Sequence, residues 1–84
     1  MNIITDIPAV IGTFTSVDSE TQTAHIDVLV KAGEGTPELV HMTLRNHGGF
    51  CTLACDDTAM VVATYVAKDM KRIYQQCLEE ACVA

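Results

Sequence analysis

The spacing of apolar residues changes near Asp57, and this change constrains the fold more than any other feature of the sequence. In "QTAHIDVLV" (22–30) apolar and polar residues alternate, which is typical of a strand with one buried face. From Asp57 onward apolar residues recur at steps of three and four, which is typical of an amphipathic helix. This helical stripe consists of Val62, Val66, Met70, Ile73, Cys77 and Ala81. The chain therefore combines strands with a C-terminal helix.

Three more segments have strand character. The segment "VIGTFTSV" (10–17) is rich in residues that favour strands, and "LVHMTLR" (39–45) alternates. "FCTLAC" (50–55) follows a pair of glycines that suit a tight turn. These segments predict an α+β fold (ββββα), a four-stranded antiparallel β-sheet with one long C-terminal α-helix packed on one face. Residues 1–84 form a single domain, in which residues 1–7 either add an edge strand or stay loose.

The predicted helix is longer than the predicted sheet is deep. A helix from Asp57 to Ala81 would span about 37 Å, whereas an eight-residue strand spans about 27 Å. We therefore expect the helix to overhang the sheet or to cross it diagonally. Asp56 or Asp57 is expected to cap its N-terminus, where an acid also suits the helix dipole.

The length of the first hairpin loop decides which side of the sheet Phe14 occupies. We predict a three-residue loop at Asp18–Glu20, which would set Phe14 beside Ala24 and Val10 beside Val28 on the core face. A two-residue loop would instead turn the first strand over and expose Phe14.

The second hairpin has its tip at His47–Gly49. Its loop is either His47–Gly48 or Gly48–Gly49, and both give the same facing because both have two residues. One face then carries Val40, Met42, Leu44, Cys51, Leu53 and Cys55, and the other carries His41, Thr43, Arg45, Phe50, Thr52 and Ala54. This facing separates the imidazole of His41 from the two thiols.

The cysteines are expected to be reduced thiols, with no metal and no cofactor bound. Zinc sites need four converging ligands, and the C-x3-C spacing of Cys51 and Cys55 is not such an arrangement, because residues four apart on a strand lie about 13 Å from each other. Cys77 and Cys82 project in different directions from one helix, so they are not expected to form a disulfide. Cys82, near the chain end, is either an exposed reactive thiol or an ordinary one.

The charge balance excludes some classes of partner. The chain has 11 acidic and 5 basic residues, a net charge of −6, which leaves too few cations for direct binding to nucleic acid or to an anionic membrane. A basic protein surface is the favoured partner. The N-terminus lacks the basic residues of a signal peptide, and no apolar run approaches a membrane span, so we expect a cytoplasmic protein.

The face away from the helix is a candidate ligand face. Its residues are His25, Asp27, His41, Thr43 and Arg45. Such residues are able to act as a general acid or base or to bind a small anion. The alternative is an ordinary solvated face, because the outer face of an antiparallel sheet is usually polar. No motif for a nucleophile, a phosphate loop or a dinucleotide site occurs, so we do not expect an enzyme.

The first half of the helix, "AMVVATYVA" (59–67), is apolar on all sides. With Val62, Ala63 and Val66 against the sheet, the opposite side is exposed, and we predict a partner or homodimer interface there. Its residues are Met60, Val61, Thr64 and Tyr65. The alternative is that residues 1–9 of the same chain cover this side.

Together these features favour a small acidic, non-enzymatic protein-binding module of the inhibitor or regulator type. Small inhibitors encoded by phages and mobile elements have this character, and the comparison is an analogy. One alternative is a small-ligand or metal-binding module that uses the outer sheet face. Another is a structural subunit of a larger complex.

Overall fold

The computed structural model describes residues 10–31 and 34–83, with side chains up to residue 81. Four antiparallel strands form one sheet in the order β1-β2-β3-β4. The strands are β1 (Val10–Asp18), β2 (Thr23–Val30), β3 (Glu38–Asn46) and β4 (Cys51–Cys55). A 3-10 turn (Asp57–Ala59), helix α1 (Met60–Ala67) and helix α2 (Met70–Val83) follow. The predicted α+β class and the four-stranded antiparallel sheet are confirmed.

The predicted single long helix is wrong, because the helix is interrupted at Lys68 and Asp69. The amide of Lys68 donates to the carbonyl of Tyr65 at 3.3 Å, and the amide of Asp69 donates to Val66 at 3.2 Å. Bonds to the third preceding residue tighten the helix and end α1. No glycine or proline marks this break in the sequence.

The break changes how the helices lie on the sheet. α1 has 8 residues and α2 has 14, which correspond to lengths of about 12 and 21 Å. Both are shorter than a nine-residue strand, about 30 Å, so neither helix has to overhang the sheet as the single helix would. α1 contacts β4 and the preceding 3-10 turn, and α2 contacts all four strands. Among the described residues, no helix has both the length and the apolar character that crossing a membrane requires.

The core lies between the inner face of the sheet and the two helices. Ala24, Ile26 and Val28 of β2 are fully buried, as their alternation predicts. The other buried apolar residues of the core cluster are Val40, Met42, Leu44, Cys51, Ala59, Val62, Val66, Ile73, Tyr74 and Cys77. The helical stripe predicted from the sequence therefore faces the sheet on both sides of the break.

The first hairpin differs from the prediction. Asp18 pairs with Thr23, so residues 19–22 form a four-residue connection, and Phe14 lies opposite Asp27 rather than Ala24. Asp18 Oδ1 accepts a hydrogen bond from the amide of Glu20 at 3.0 Å, which stabilises the connection. Gln22 adopts a positive φ of 53° where the chain enters β2. One additional loop residue turns β1 over, so that Phe14 lies on the outer face of the sheet.

The start of β1 also departs from the predicted register. Val10 pairs with Val30 rather than with Val28, because the register shifts between Val10 and Gly12. Such a shift adds a residue to one strand and locally bends it. Val10 nevertheless packs against the core cluster, so the prediction that it faces inward is correct although its partner differs.

The second hairpin has the predicted facing. The amide of His47 donates to the carbonyl of Phe50 at 2.8 Å, which leaves Gly48 and Gly49 as the two-residue loop. Gly48 has a φ of 101°, a conformation that glycine adopts without steric cost. Met42 lies opposite Cys55, so the thiols of β4 share the inner face with the apolar residues of β3.

Candidate functional site

The five residues predicted for the ligand face lie together on the outer face of the sheet. β2 and β3 are neighbours, although the sequence alone leaves this pairing open. Asp27 lies opposite His41, and His25 lies opposite Thr43. Arg45 lies opposite Thr23 and Thr52, at the end of the sheet near the second hairpin.

A close His–Asp contact lies at the centre of this face and is an ion pair when His41 is protonated. His41 Nδ1 is 2.6 Å from Asp27 Oδ1, and both side chains are partly exposed. The ring of His25 stacks beside the ring of His41, with 5.8 Å between centroids and 18° between planes. Because Nδ1 of His41 is used by Asp27, its Nε2 is the ring nitrogen that is left for a bound molecule. The arrangement suits recognition of polar groups at a surface.

The same face also carries exposed apolar side chains. The sequence predicts one of them, Phe14, on the core face and does not identify the others. Phe14 lies beside the ion pair and is 62% exposed, and Leu39, opposite Leu29, is 58% exposed. Ile11, at the irregular start of β1, is 55% exposed. The available signal is Leu29, which is the one apolar residue of β2 on the polar side of the alternation.

The tip of the second hairpin carries a second aromatic group. The rings of His47 and Phe50 stack with 4.7 Å between their centroids, and His47 Nε2 lies 2.8 Å from Thr52 Oγ1. Thr52 therefore has a partner within the hairpin. His47 lies beyond the end of β3, six residues from His41. The imidazole at the tip does not belong to the ion pair at the centre of the sheet.

The described thiols are not arranged as nucleophiles. Cys51 and Cys77 are buried, Cys55 is half-buried, and all three are free. Burial, followed by the negative charge of Glu80, raises the pKa of Cys77 to about 11, so this thiol is protonated at neutral pH. In the described part of the chain, no three His, Cys, Asp or Glu side chains are placed to hold a metal ion. The side chain of Cys82 lies outside the described residues.

Helix α1 exposes the residues predicted for the partner or dimer interface. Met60 is 54% exposed, Val61 70% and Tyr65 44%, whereas Val62, Ala63 and Val66 on the other side are buried. Thr64 is also exposed, and its hydroxyl donates to the carbonyl of Met60 at 2.8 Å. Residues 1–9, the alternative cover for this side, lie outside the described residues.

Charged residues border the exposed side of α1 at both ends. Asp56 occupies the N-cap position of the 3-10 turn but makes no side-chain capping bond, and Asp57 lies in the first turn. At the other end, Lys68 Nζ lies 5.1 Å from the centroid of the Tyr65 ring. Asp56 thus precedes the 3-10 turn, whereas the N-cap of α1 itself is Ala59, and neither position has a side-chain capping bond.

Comparison with known protein families, curated proteins and solved structures finds no match to this chain. Its function must therefore be argued from its own residues.

Proposed function

We propose that this chain is a non-enzymatic protein-binding module that acts as an inhibitor or regulator by occupying the surface of a partner protein. The outer face of the sheet is the contact surface. The observation that carries the proposal is the exposed aromatic ring of Phe14 beside the His41–Asp27 ion pair.

The composition of the outer face fits a protein interface. Interfaces combine exposed aromatic and aliphatic side chains at their centre with polar groups around them. Here Phe14 and Leu39 supply apolar area, and His41 and Asp27 supply polar groups that already contact each other. A preformed surface of this kind loses little conformational entropy on binding.

The net charge of the chain indicates the electrostatic character of the partner. A charge of −6 favours encounters with a basic surface and opposes binding to nucleic acid. Asp18, at the end of β1, and Glu20, in the first hairpin loop, are exposed at one edge of the outer face. A partner with an apolar patch bordered by lysine or arginine would match both features.

A capture experiment tests the proposal. The full chain is used as bait in an extract of its host, the bound protein is identified by mass spectrometry, and the affinity of the purified pair is measured by calorimetry. We expect Phe14→Glu to weaken binding at least tenfold, which corresponds to about 1.4 kcal/mol. Phe50→Glu is the matched control, because Phe50 is 59% exposed but lies at the hairpin tip that precedes β4, at the opposite edge of the sheet from Phe14 in β1. Equal effects of the two substitutions, or the absence of a stoichiometric partner, would contradict the proposal.

A second candidate function is the binding of a small ligand or a metal ion at His25 and His41. The close contact between His41 and Asp27 and the stacked rings favour it. Thermal melting during titration with Zn²⁺ or phosphate tests it, with the double variant His25→Ala/His41→Ala as control. A ligand-linked rise of Tm that disappears in the double variant would support this candidate, and an unchanged Tm would count against it.

A further inference from the structure

The exposed side of α1 carries a pattern that is complementary to itself. Val61 and Thr64 lie three residues apart on the exposed side of α1, while Asp57 lies in the 3-10 turn four residues before Val61 and Lys68 directly follows α1, four residues after Thr64. Met60 and Tyr65 border these positions. Along the chain an acid is followed by an apolar centre and then by a base. When two copies run antiparallel, the acid of each copy therefore lies opposite the base of the other.

The positions are symmetric about a single point between Val62 and Ala63. Met60 and Tyr65 are equally far from it, as are Val61 and Thr64, and as are Asp57 and Lys68. In an antiparallel pair of identical helices centred at this point, each of these residues lies opposite its counterpart in the other copy. A two-fold axis produces this arrangement, because the same surface is used on both sides.

We propose that the exposed side of α1 packs antiparallel against α1 of a second copy of this chain, with Asp57 of each copy paired with Lys68 of the other. The proposal uses a different surface from the proposed function and does not depend on it. Helices α1 and α2 lie on the inner side of the sheet, so the outer face of each copy stays open in the dimer.

The physical terms favour this contact. Packing removes Met60, Val61 and Tyr65 from water, and each is between 44 and 70% exposed in one copy. Burying Thr64 leaves no unpaired donor, because its hydroxyl already donates to the carbonyl of Met60. The antiparallel arrangement also places the helix dipoles in opposite directions.

The charged ends determine the register and the identity of the occupant. Among the described residues, the carboxylate of Asp57 has no hydrogen-bond or ion-pair partner, and Lys68 lies over the ring of Tyr65, within the contact surface. A second copy supplies the opposite charge at each end. The repulsion between two chains of charge −6 is screened at an ionic strength of about 0.15 M, where the Debye length is about 8 Å.

Charge reversal tests the pairing directly. In Asp57→Lys every copy carries a base at both ends, and in Lys68→Glu every copy carries an acid at both ends, so neither variant pairs with itself. When the two variants are mixed, each end of one copy meets an opposite charge on the other. Sedimentation equilibrium of the full chain is therefore expected to show a dimer for the parent, at least tenfold weaker self-association for each variant, and a dimer for the mixture.

Matched controls separate this pairing from a general effect of charge. Glu34→Lys and Lys31→Glu make the same changes of charge in the loop between β2 and β3, and they should leave the dimer unchanged. Val61→Glu places a charge at the centre of the contact without disturbing the fold, because Val61 is 70% exposed, and it should give a monomer. Leu39→Glu, at a position on the outer face that is 58% exposed, should leave the dimer intact.

The outcomes distinguish the two proposals. A parent chain that stays monomeric at millimolar concentration, a dimer that Val61→Glu leaves intact, or a mixture that fails to associate would overturn the α1 pairing. None of these results changes the expected effect of Phe14→Glu on a different partner. Conversely, loss of that effect would leave the dimer and its charge dependence as stated.

Discussion

Phe14 lies directly opposite Asp27 on the outer face of the sheet, beside the contact of 2.6 Å between Asp27 and His41. The arrangement places an exposed aromatic ring next to an ion pair on a face that no helix covers in the described part of the chain. Neither Phe14 nor the His41–Asp27 contact contributes to the buried core, so under the proposed function binding and folding depend on different residues.

The ion pair is expected to matter for binding and not for stability. Exposed pairs stabilise proteins by less than about 1 kcal/mol, since water solvates both charges in the unfolded chain. Asp27→Ala should therefore change the free energy of unfolding by less than about 1 kcal/mol in urea denaturation. The same substitution should weaken binding of the captured partner, and a loss of both would indicate that the pair supports the fold.

A core residue on the other side of the same strand should behave in the opposite way. Ile26 is fully buried between the sheet and the helices, so Ile26→Ala leaves a cavity and should destabilise the chain by about 2–5 kcal/mol. Urea denaturation measures this change. Ser16→Ala, at an exposed position of β1, is the control and should lie within about 0.5 kcal/mol of the parent.

Gly48 and Gly49 provide a test of backbone conformation. No atom would contact a Cβ at either position, so space does not distinguish them, but only Gly48 has a positive φ, 101°. Gly48→Ala should cost about 1–2 kcal/mol, because side chains rarely adopt that conformation. Gly49→Ala should cost less in the same denaturation experiment. An equal cost at both positions would show that the hairpin adopts a different turn.

Stability should fall in alkaline solution because of Cys77. Burial raises the pKa of this thiol from 9.0 to about 11, so the folded state holds a proton that the unfolded state releases first. Below pH 9 the thiol is protonated in both states, so its full contribution to the free energy of unfolding is present. That contribution is lost as the pH rises toward 11, and the maximum loss is roughly 2–3 kcal/mol.

The measurement is the free energy of unfolding of the parent and of Cys77→Ala between pH 7 and pH 11, the upper limit being the raised pKa. The parent should lose more stability over this range than the variant. The pKa of Tyr74 is raised by burial as well, so the variant should retain some alkaline loss above pH 10. Cys55→Ala, which removes a half-buried thiol, should follow the parent.

Alternation in the sequence was sufficient to predict the facing of β2, β3 and β4. In β2 every second residue from Ala24 to Val28 is apolar, and burial of one side of a strand requires that pattern. The facing of β1 could not be predicted in this way, because Val10, Ile11, Phe14 and Val17 do not alternate. The loop then decides the facing, and the loop depends on local contacts of Asp18 and Gln22 that the residue types alone do not determine.

The helical region shows a similar limit. The stripe from Val62 to Cys77 predicted most of the buried helical positions, because they face the sheet at the helical period, but it did not include the buried Tyr74. The break at Lys68 and Asp69 could not be predicted, since no residue there disfavours a helix strongly. The ion pair of Asp27 and His41 depends on the pairing of β2 with β3 across a seven-residue connection (31–37), which spacing alone leaves open.

The one-sided core also has an evolutionary consequence. In β2 the inward residues Ala24, Ile26 and Val28 carry the packing, while their neighbours His25 and Asp27 are only partly buried. Substitutions at these alternate positions therefore have little effect on folding, and selection is able to alter them freely. A lineage with this fold can therefore change every second residue of its strands while the architecture persists.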